Sequence, residues 1–259
     1  MVSLPSPMRL FRRFRRPGLL FAGLLALGAQ AAEVTVSAAA SLTQALREIA
    51  PLFEAAAPGA RVQLNFGASG ALLAQIAKGA PADVFVSADQ ETMDQAQAQG
   101  LLKPGQRRDV VSNALVLIVP AAATKVPAGL NELTQPGFAR IAIGLPASVP
   151  AGRYTKSVLE GANLWPAIEP KMIGANNVRQ ALDYVARAEV DAGFVYATDA
   201  AVMPDKVKVA LRVPTPKPIR YPAAVLAAAP NAAEAARFVD FLVTPQAQAV
   251  FAKHGFGKP

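Results

Sequence analysis

The stretch Val36-Ser37-Ala38-Ala39-Ala40-Ser41-Leu42-Thr43-Gln44-Ala45-Leu46 decides how the chain is read. Just ahead of it, Glu33 to Ser37 alternates Val34 and Val36 with polar neighbours, the period of a half-buried strand. After it, Leu42, Ala45, Leu46 and Ile49 recur at helical spacing, so a strand passes through Ala38, Ala39 and Ala40 into a helix that starts near Ser41. A serine at such a junction sets a hydroxyl beside backbone N–H groups that have no intrahelical acceptor. Those groups and the helix dipole favour an anion. The same serine can also do no more than cap its own helix. Recurrence turns the reading toward a ligand, because the arrangement returns three more times.

Outward from this stretch, strands and helices alternate. The first helix runs to about Phe53 and Pro58-Gly59 ends it. Arg61 to Phe66 alternates as a strand, and Gly67-Ala68-Ser69-Gly70 leads into the helical run Ala71 to Lys78. Val84 to Ser87 reads as a buried strand before a helix over Ala88 to Gln99. Asn113 to Pro120 is nearly all apolar, as a strand covered on both faces requires. Phe138 to Gly144 is a further strand. It leads to Val149-Pro150-Ala151-Gly152, where a proline suits the first turn of a helix that continues to Gly161. Lys171 to Ile173 extends as a strand, Asn177 is a good cap for a helix over Val178 to Ala188, and Ala192 to Tyr196 is a buried strand ending in a tyrosine. Val207 to Val213 alternates as a strand. The run Val213 to Pro222 carries four prolines and reads as a stiff connection to a last strand, Tyr221 to Leu226. Helices over Ala232 to Val243 and, after Thr244-Pro245, Gln246 to Lys253 close the chain. The alternation predicts an α/β protein with mainly parallel sheets, which bind ligands beyond the carboxyl ends of their strands.

The first 31 residues read as a segment outside the fold. Arg9, Arg12, Arg13, Arg15 and Arg16 precede an apolar run from Gly18 to Gly28, and Ala29-Gln30-Ala31 supplies small residues at cleavage spacing. This is the plan of a signal peptide, with cutting after Ala31 or Ala32 and export from the cytoplasm. The run is too short for a stable membrane span. The whole chain has 26 Lys and Arg against 18 Asp and Glu; five of the arginines and none of the acids lie in residues 1–31, which leaves +3 on the rest. No dense basic patch remains, so nucleic acid is not an expected partner. With no cysteine, disulfides and thiolate metal sites are excluded; with one histidine, in the last helix, a zinc cluster or a His-based triad is disfavoured.

Ser41, Ser69, Ala151 and Val178 each stand at or just before a helix start. Two bring hydroxyls and all four bring backbone N–H groups. If the four starts converge, they make a cavity rich in donors and free of formal charge. Hydrogen bonds to an ion contribute roughly 1.5–3 kcal/mol each, and several together offset much of a dianion's desolvation.

The chain resembles the periplasmic molybdate-binding proteins of ABC importers. The likeness rests on AAASL (38–42), GASGAL (67–72), GAPADVFVSAD (79–89), VPAG (149–152), NNVRQAL (176–182) and FVYATDA (194–200), which follow in order along the whole chain after the leader. It implies the type II periplasmic binding protein fold, two lobes joined by two hinge crossovers, with an oxyanion in the cleft. Residues 32–115 and 219–259 would form lobe 1 and residues 116–218 lobe 2, with crossovers at Asn113–Pro120 and Lys217–Leu226. By the same resemblance Ser41 and Ser69 give hydroxyl and backbone donors, Ala151 and Val178 give backbone N–H groups, and Tyr196 gives its phenol. Ala68 and Gly70 stand where the family often has serines, so the contact near Ser69 can shift by one residue. The implied cargo is molybdate or tungstate, held as an oxyanion with no direct metal ligand. The implied partner is a membrane permease, the protein itself a monomer with no cofactor and no enzymatic activity.

Plainer roles stand beside these. Arg153 and Arg179 are expected in salt bridges elsewhere, Asp83, Asp89 and Asp199 as structural groups, Trp165 as packing and His254 as incidental. Two rival functions are a binding protein for another tetrahedral oxyanion such as sulfate, and an exported α/β hydrolase. The hydrolase needs a base beside its serine, and Gly67-Ala68-Ser69-Gly70-Ala71 lacks the last glycine of a nucleophile elbow.

Overall fold

The computed structural model describes residues 1–4 and 32–259; the expected signal peptide lies outside the described residues but for its first four. In chain order the first half holds β1 (Ala32–Ala39), α1 (Thr43–Ala56), β2 (Ala60–Gly67), α2 (Ser69–Ala77), β3 (Val84–Val86), α3 (Gln90–Ala98) and β4 (Leu102–Asn113). Next come β5 (Leu115–Pro120), β6 (Ile141–Gly144), α4 (Pro150–Gly161), α5 (Trp165–Ile168), β7 (Met172–Ala175), α6 (Val178–Ala186), β8 (Ala192–Tyr196), α7 (Ala197–Ala200) and β9 (Val207–Val213). The chain ends with β10 (Ile219–Leu226), α8 (Ala232–Leu242) and α9 (Pro245–Lys253).

The strands form two five-stranded sheets, ordered β2-β1-β3-β10-β4 and β7-β6-β8-β5-β9. Each sheet is the floor of one lobe. Both are mixed: β1 pairs parallel with β2 and β3, while β10 is antiparallel to β3 and β4. Likewise β6 pairs parallel with β7 and β8, while β5 is antiparallel to β8 and β9. Four strands of each sheet therefore run one way and a single strand runs back. The reversed strands are those that enter from the other lobe. After β4 ends at Asn113, only Ala114 separates it from β5. After β9 ends at Val213, residues 214–218 lead into β10. A strand that arrives from the neighbouring lobe starts where the other strands finish, so it must run against them. The register agrees: Leu115 at the start of β5 lies opposite both Tyr196 and Val213, the last residues of β8 and β9. In the first sheet, Ile219 lies opposite Asn113.

The apolar run of β5 is buried from Leu115 to Val119, as expected of a strand covered on both faces. The β2 strand has exposed Arg61, Gln63 and Asn65 alternating with Val62, Leu64 and Phe66, in keeping with its place at a sheet edge. The short helices α5 and α7 are absent from the sequence reading, and so is the strand β4. Lys103, Pro104, Gly105, Arg107 and Arg108 break any apolar alternation there, and the strand forms because it is the other edge of that sheet, where charged outward residues protect an open ladder. Helix α1 continues past Phe53 to Ala56, with Pro51 inside it. The last two helices return to the first lobe: Phe238 of α8 packs edge-on against Phe53 of α1, centroids 5.1 Å apart. Trp165 is buried against the second lobe's core, with Lys156 over its ring at 5.5 Å.

Candidate functional site

The four helix starts do converge. One cavity is lined by Ala39, Ala40 and Ser41 from the end of β1 and the short 3-10 turn before α1, and by Gly67, Ala68 and Ser69 from the β2–α2 junction. Ala88 from the β3–α3 loop, Pro150 of α4, Val178 of α6 and Tyr196 of β8 complete it. Every one sits at or just beyond a strand's carboxyl end or in a helix's first turn, and at a helix start backbone N–H groups lack intrahelical acceptors and the dipole is positive. The lining carries no ionised side chain. The cavity volume is about 10 Å³, far below the roughly 300–1,000 Å³ of clefts for drug-sized ligands, so the guest is small.

Four of the five expected site residues, Ser41, Ser69, Val178 and Tyr196, are on the cavity wall. Ala151 lies one residue behind Pro150 and is not on the wall, although its N–H belongs to the same first turn of α4. Helix α4 reaches this position because Gly152 lets it lie against β6: a Cβ on Gly152 would fall 1.8 Å from the Gly144 carbonyl oxygen.

The serines do not cap helices. No side chain caps the turn at Ala40–Leu42, α1 or α2. The plain capping role for Ser41 is thereby corrected: its hydroxyl lies 3.0 Å from the Tyr221 hydroxyl instead, deep in the fold. The Ser69 hydroxyl accepts from the Ala88 N–H at 3.0 Å. Tyr196 is buried, and its hydroxyl lies 3.5 Å from the Ala88 carbonyl oxygen. Desolvation pushes the phenols of Tyr196 and Tyr221 well above their usual pKa, so both keep their protons.

Both arginines are in salt bridges: that of Arg179 stands beside the cavity, while that of Arg153 lies away from its wall. Arg179 of α6 places Nε 2.6 Å from Asp199 Oδ1. Its Nη2 donates to the Ser41 carbonyl at 3.1 Å and to Gln44 Oε1 at 2.6 Å. It therefore ties the second lobe to the Ser41 turn of the first. Asp199 also accepts from the Tyr196 N–H at 3.1 Å. Burial pushes its carboxyl up to about 6 against the opposing pull of Arg179. Arg153 of α4 crosses in the same way to Asp89, with Nε at 2.9 Å and Nη2 at 2.7 Å from one carboxylate oxygen. Asp89 caps α3 through the Thr92 N–H, so its structural reading holds alongside this bridge. Asp83 is structural, accepting from the N–H groups of Thr35 and Asn231. The His254 ring lies 3.0 Å from a Glu48 carboxylate oxygen. The Gly70 N–H donates to the Ser148 carbonyl at 2.9 Å, a direct backbone bond between lobes.

Sequence reasoning missed Tyr221 and Asn113, which stand behind Ser41. The trace they leave is slight: one aromatic with a polar tip in the apolar run Tyr221-Pro222-Ala223-Ala224-Val225-Leu226, and an asparagine at the end of an edge strand.

Residues 34–257 match the family model of bacterial extracellular solute-binding proteins. The chain is 38% identical over 230 residues to the molybdate-binding protein ModA of Escherichia coli (strain K12), covering 86% of this chain and 88% of that one. It is 37% identical to the putative ABC transporter substrate-binding lipoprotein YvgL of Bacillus subtilis (strain 168), covering 86% of this chain and 85% of that one. Among solved structures, the periplasmic molybdate-binding protein of Azotobacter vinelandii superposes with a TM-score of 0.76 at 28% identity, over 87% of this chain and 99% of that one. A type II two-lobed fold with donors gathered between its lobes, and a match over nearly all the described chain, place this protein in the family of bacterial extracellular solute-binding proteins.

Proposed function

We propose that this protein captures molybdate, and tungstate with it, outside the cytoplasm and delivers it to the membrane permease of an ABC importer. The observation that carries this reading is the uncharged cavity at four helix starts, with two serine hydroxyls and one phenol on its wall. Such a site suits a small dianion that needs many donors and brings no proton of its own. The relatives named for molybdate supply the choice among such anions. Ser41, Ser69, Val178 and Tyr196 would touch the oxyanion directly and Ala151 through its N–H; the metal itself would meet no protein ligand. The chain would act as a monomer, exported by its first 31 residues and free in the periplasm. A hydrolase is disfavoured by the partners of the two serines: a phenol for one and a backbone N–H for the other, with no base bonded to either among the described residues.

The protein would work as a hinge. Lobe 1, residues 32–115 and 219–259, and lobe 2, residues 116–218, would swing on the crossovers Asn113–Pro120 and Lys217–Leu226 and close when one anion satisfies donors from both. Gly70 tests this. A Cβ there would lie 2.8 Å from the Ser148 carbonyl oxygen of the other lobe, a clash that exists only while the lobes touch. Gly70→Ala is expected to leave the unfolding midpoint nearly unchanged and to lower affinity about five- to hundredfold, the equivalent of roughly 1–3 kcal/mol of overpacking. Unchanged affinity would remove closure from the mechanism.

Calorimetry of the chain lacking its leader, with molybdate, tungstate, sulfate and phosphate in turn, tests the cargo. Tight binding of the first two and weak or no binding of the others is expected. Sulfate bound as well as molybdate would overturn the assignment and leave the fold untouched.

A further inference from the structure

Ser41 is more than a hydroxyl on a wall, because a chain of hydrogen bonds with a fixed direction ends on it. The chain begins at the crossover between the lobes. The Ala114 N–H donates to Asn113 Oδ1 at 2.9 Å. An N–H can only donate, so this bond decides which end of the amide is oxygen. Asn113 Nδ2 is then the donor end, and it reaches the Tyr221 hydroxyl oxygen at 3.2 Å and Thr198 Oγ1 of the second lobe at 2.9 Å. With its oxygen accepting from Asn113, the Tyr221 hydroxyl must send its own proton elsewhere. Tyr221 is fully buried, and among the described residues the remaining oxygen within bonding distance of its hydroxyl is Ser41 Oγ, at 3.0 Å. Ser41 Oγ therefore accepts from Tyr221, and its proton is left for the cavity.

We infer that Tyr221, oriented by Asn113, is a positioning residue that holds the Ser41 hydroxyl as a donor toward the guest and so selects fully deprotonated oxyanions over those that carry an O–H. This rests on the anion-binding reading of the cavity. Ser69 follows the same logic by a separate bond. Its oxygen already accepts from the Ala88 N–H, so its proton is also left over. A guest that must donate, such as hydrogen phosphate, meets at each serine a proton pointing its way and an oxygen that has already given one of its two lone pairs to a protein donor. Because Asn113 closes β4 at the crossover and bonds Thr198 across it, the orientation of Ser41 is set where the two lobes join.

The test is calorimetry of wild type, Tyr221→Phe, Ser41→Ala and the double variant, with molybdate and with inorganic phosphate at a mildly alkaline pH. In Tyr221→Phe the Ser41 hydroxyl is free to turn and accept. Molybdate affinity is expected to fall about tenfold, the scale of one hydrogen bond to a charged guest, while phosphate affinity rises or holds, so the ratio of the two falls. Ser41→Ala is expected to cost molybdate binding much less in the Tyr221→Phe background than in wild type. Asn113→Ala, which releases the Tyr221 proton from its fixed direction, is expected to shift the ratio the same way and serves if Tyr221→Phe does not fold. Loss of both anions by one common factor, or an unchanged ratio in a wild type that binds molybdate, overturns the inference alone. A wild type that prefers sulfate overturns the cargo assignment, and the same ratio is then read with sulfate in place of molybdate.

Discussion

Arg179→Ala is expected to lower stability by about 3–5 kcal/mol near neutral pH, the usual cost of stripping one partner from a buried ion pair. Asp199 is fully buried, and Arg179 Nε is its one cationic neighbour within salt-bridge distance among the described residues. The size of the loss should depend on pH, with a definite sign. Burial pushes the Asp199 carboxyl up to about 6 from 3.8 even with Arg179 present. Between those values the folded protein keeps a proton that the unfolded chain releases, so this group's contribution falls as pH rises through the window. Arg179 attracts only the ionised form. Its removal should therefore cost least near pH 4, where the carboxyl is neutral in both proteins and the bonds to Ser41 and Gln44 are what is lost, and about 1.4 kcal/mol more at pH 7, one unit above the folded value, where only the wild type can ionise it cheaply. Denaturant unfolding of both proteins across that range reads the difference directly; a gap that stays constant with pH would show that the pair does not govern it. The same variant should also bind its anion more weakly, because Arg179 holds the Ser41 carbonyl and Gln44.

Gly152→Ala should be comparably severe for a different reason. The added Cβ would meet the carbonyl oxygen of Gly144 at 1.8 Å and its carbon at 2.6 Å. Both are backbone atoms at the end of β6, so no side-chain rotation relieves the overlap. The first turn of α4 must lift off the sheet, taking Pro150 out of the cavity wall and the Ala151 N–H behind it farther away. A loss of about 3 kcal/mol or more in stability is expected, at or beyond the upper end for overpacking, with anion affinity reduced at least tenfold. Gly161→Ala is the control at the other end of the same helix. Nothing lies within 4 Å of a Cβ there, and alanine favours the helix by up to about 1 kcal/mol. Equal behaviour of the two variants in thermal unfolding and calorimetry would remove the close approach of α4 and β6 from the design of the site.

The residues legible from sequence are those whose role is local. A strand ending in Ala38-Ala39-Ala40 and a helix that begins beyond Ser41 follow from periodicity, as do the starts at Ser69, Pro150 and Val178. The amphipathic pattern is written in neighbouring positions, and a helix start needs only its own few residues. Runs such as Leu115 to Val119 announce burial by composition. The charged edge strand β4 escaped because its pairing with β10, more than a hundred residues away, supplies what its own pattern lacks.

What the order of residues determined by itself is an alternating α/β chain with four donor-rich helix starts. Only the tertiary structure decided that these starts face one cavity, that β5 and β10 run against their sheets, and that Arg179, Asp199, Tyr221 and Asn113 brace the wall from behind. Those facts join residues up to 180 positions apart. Direction and distance between such groups depend on how whole sheets pack, and no local period encodes that.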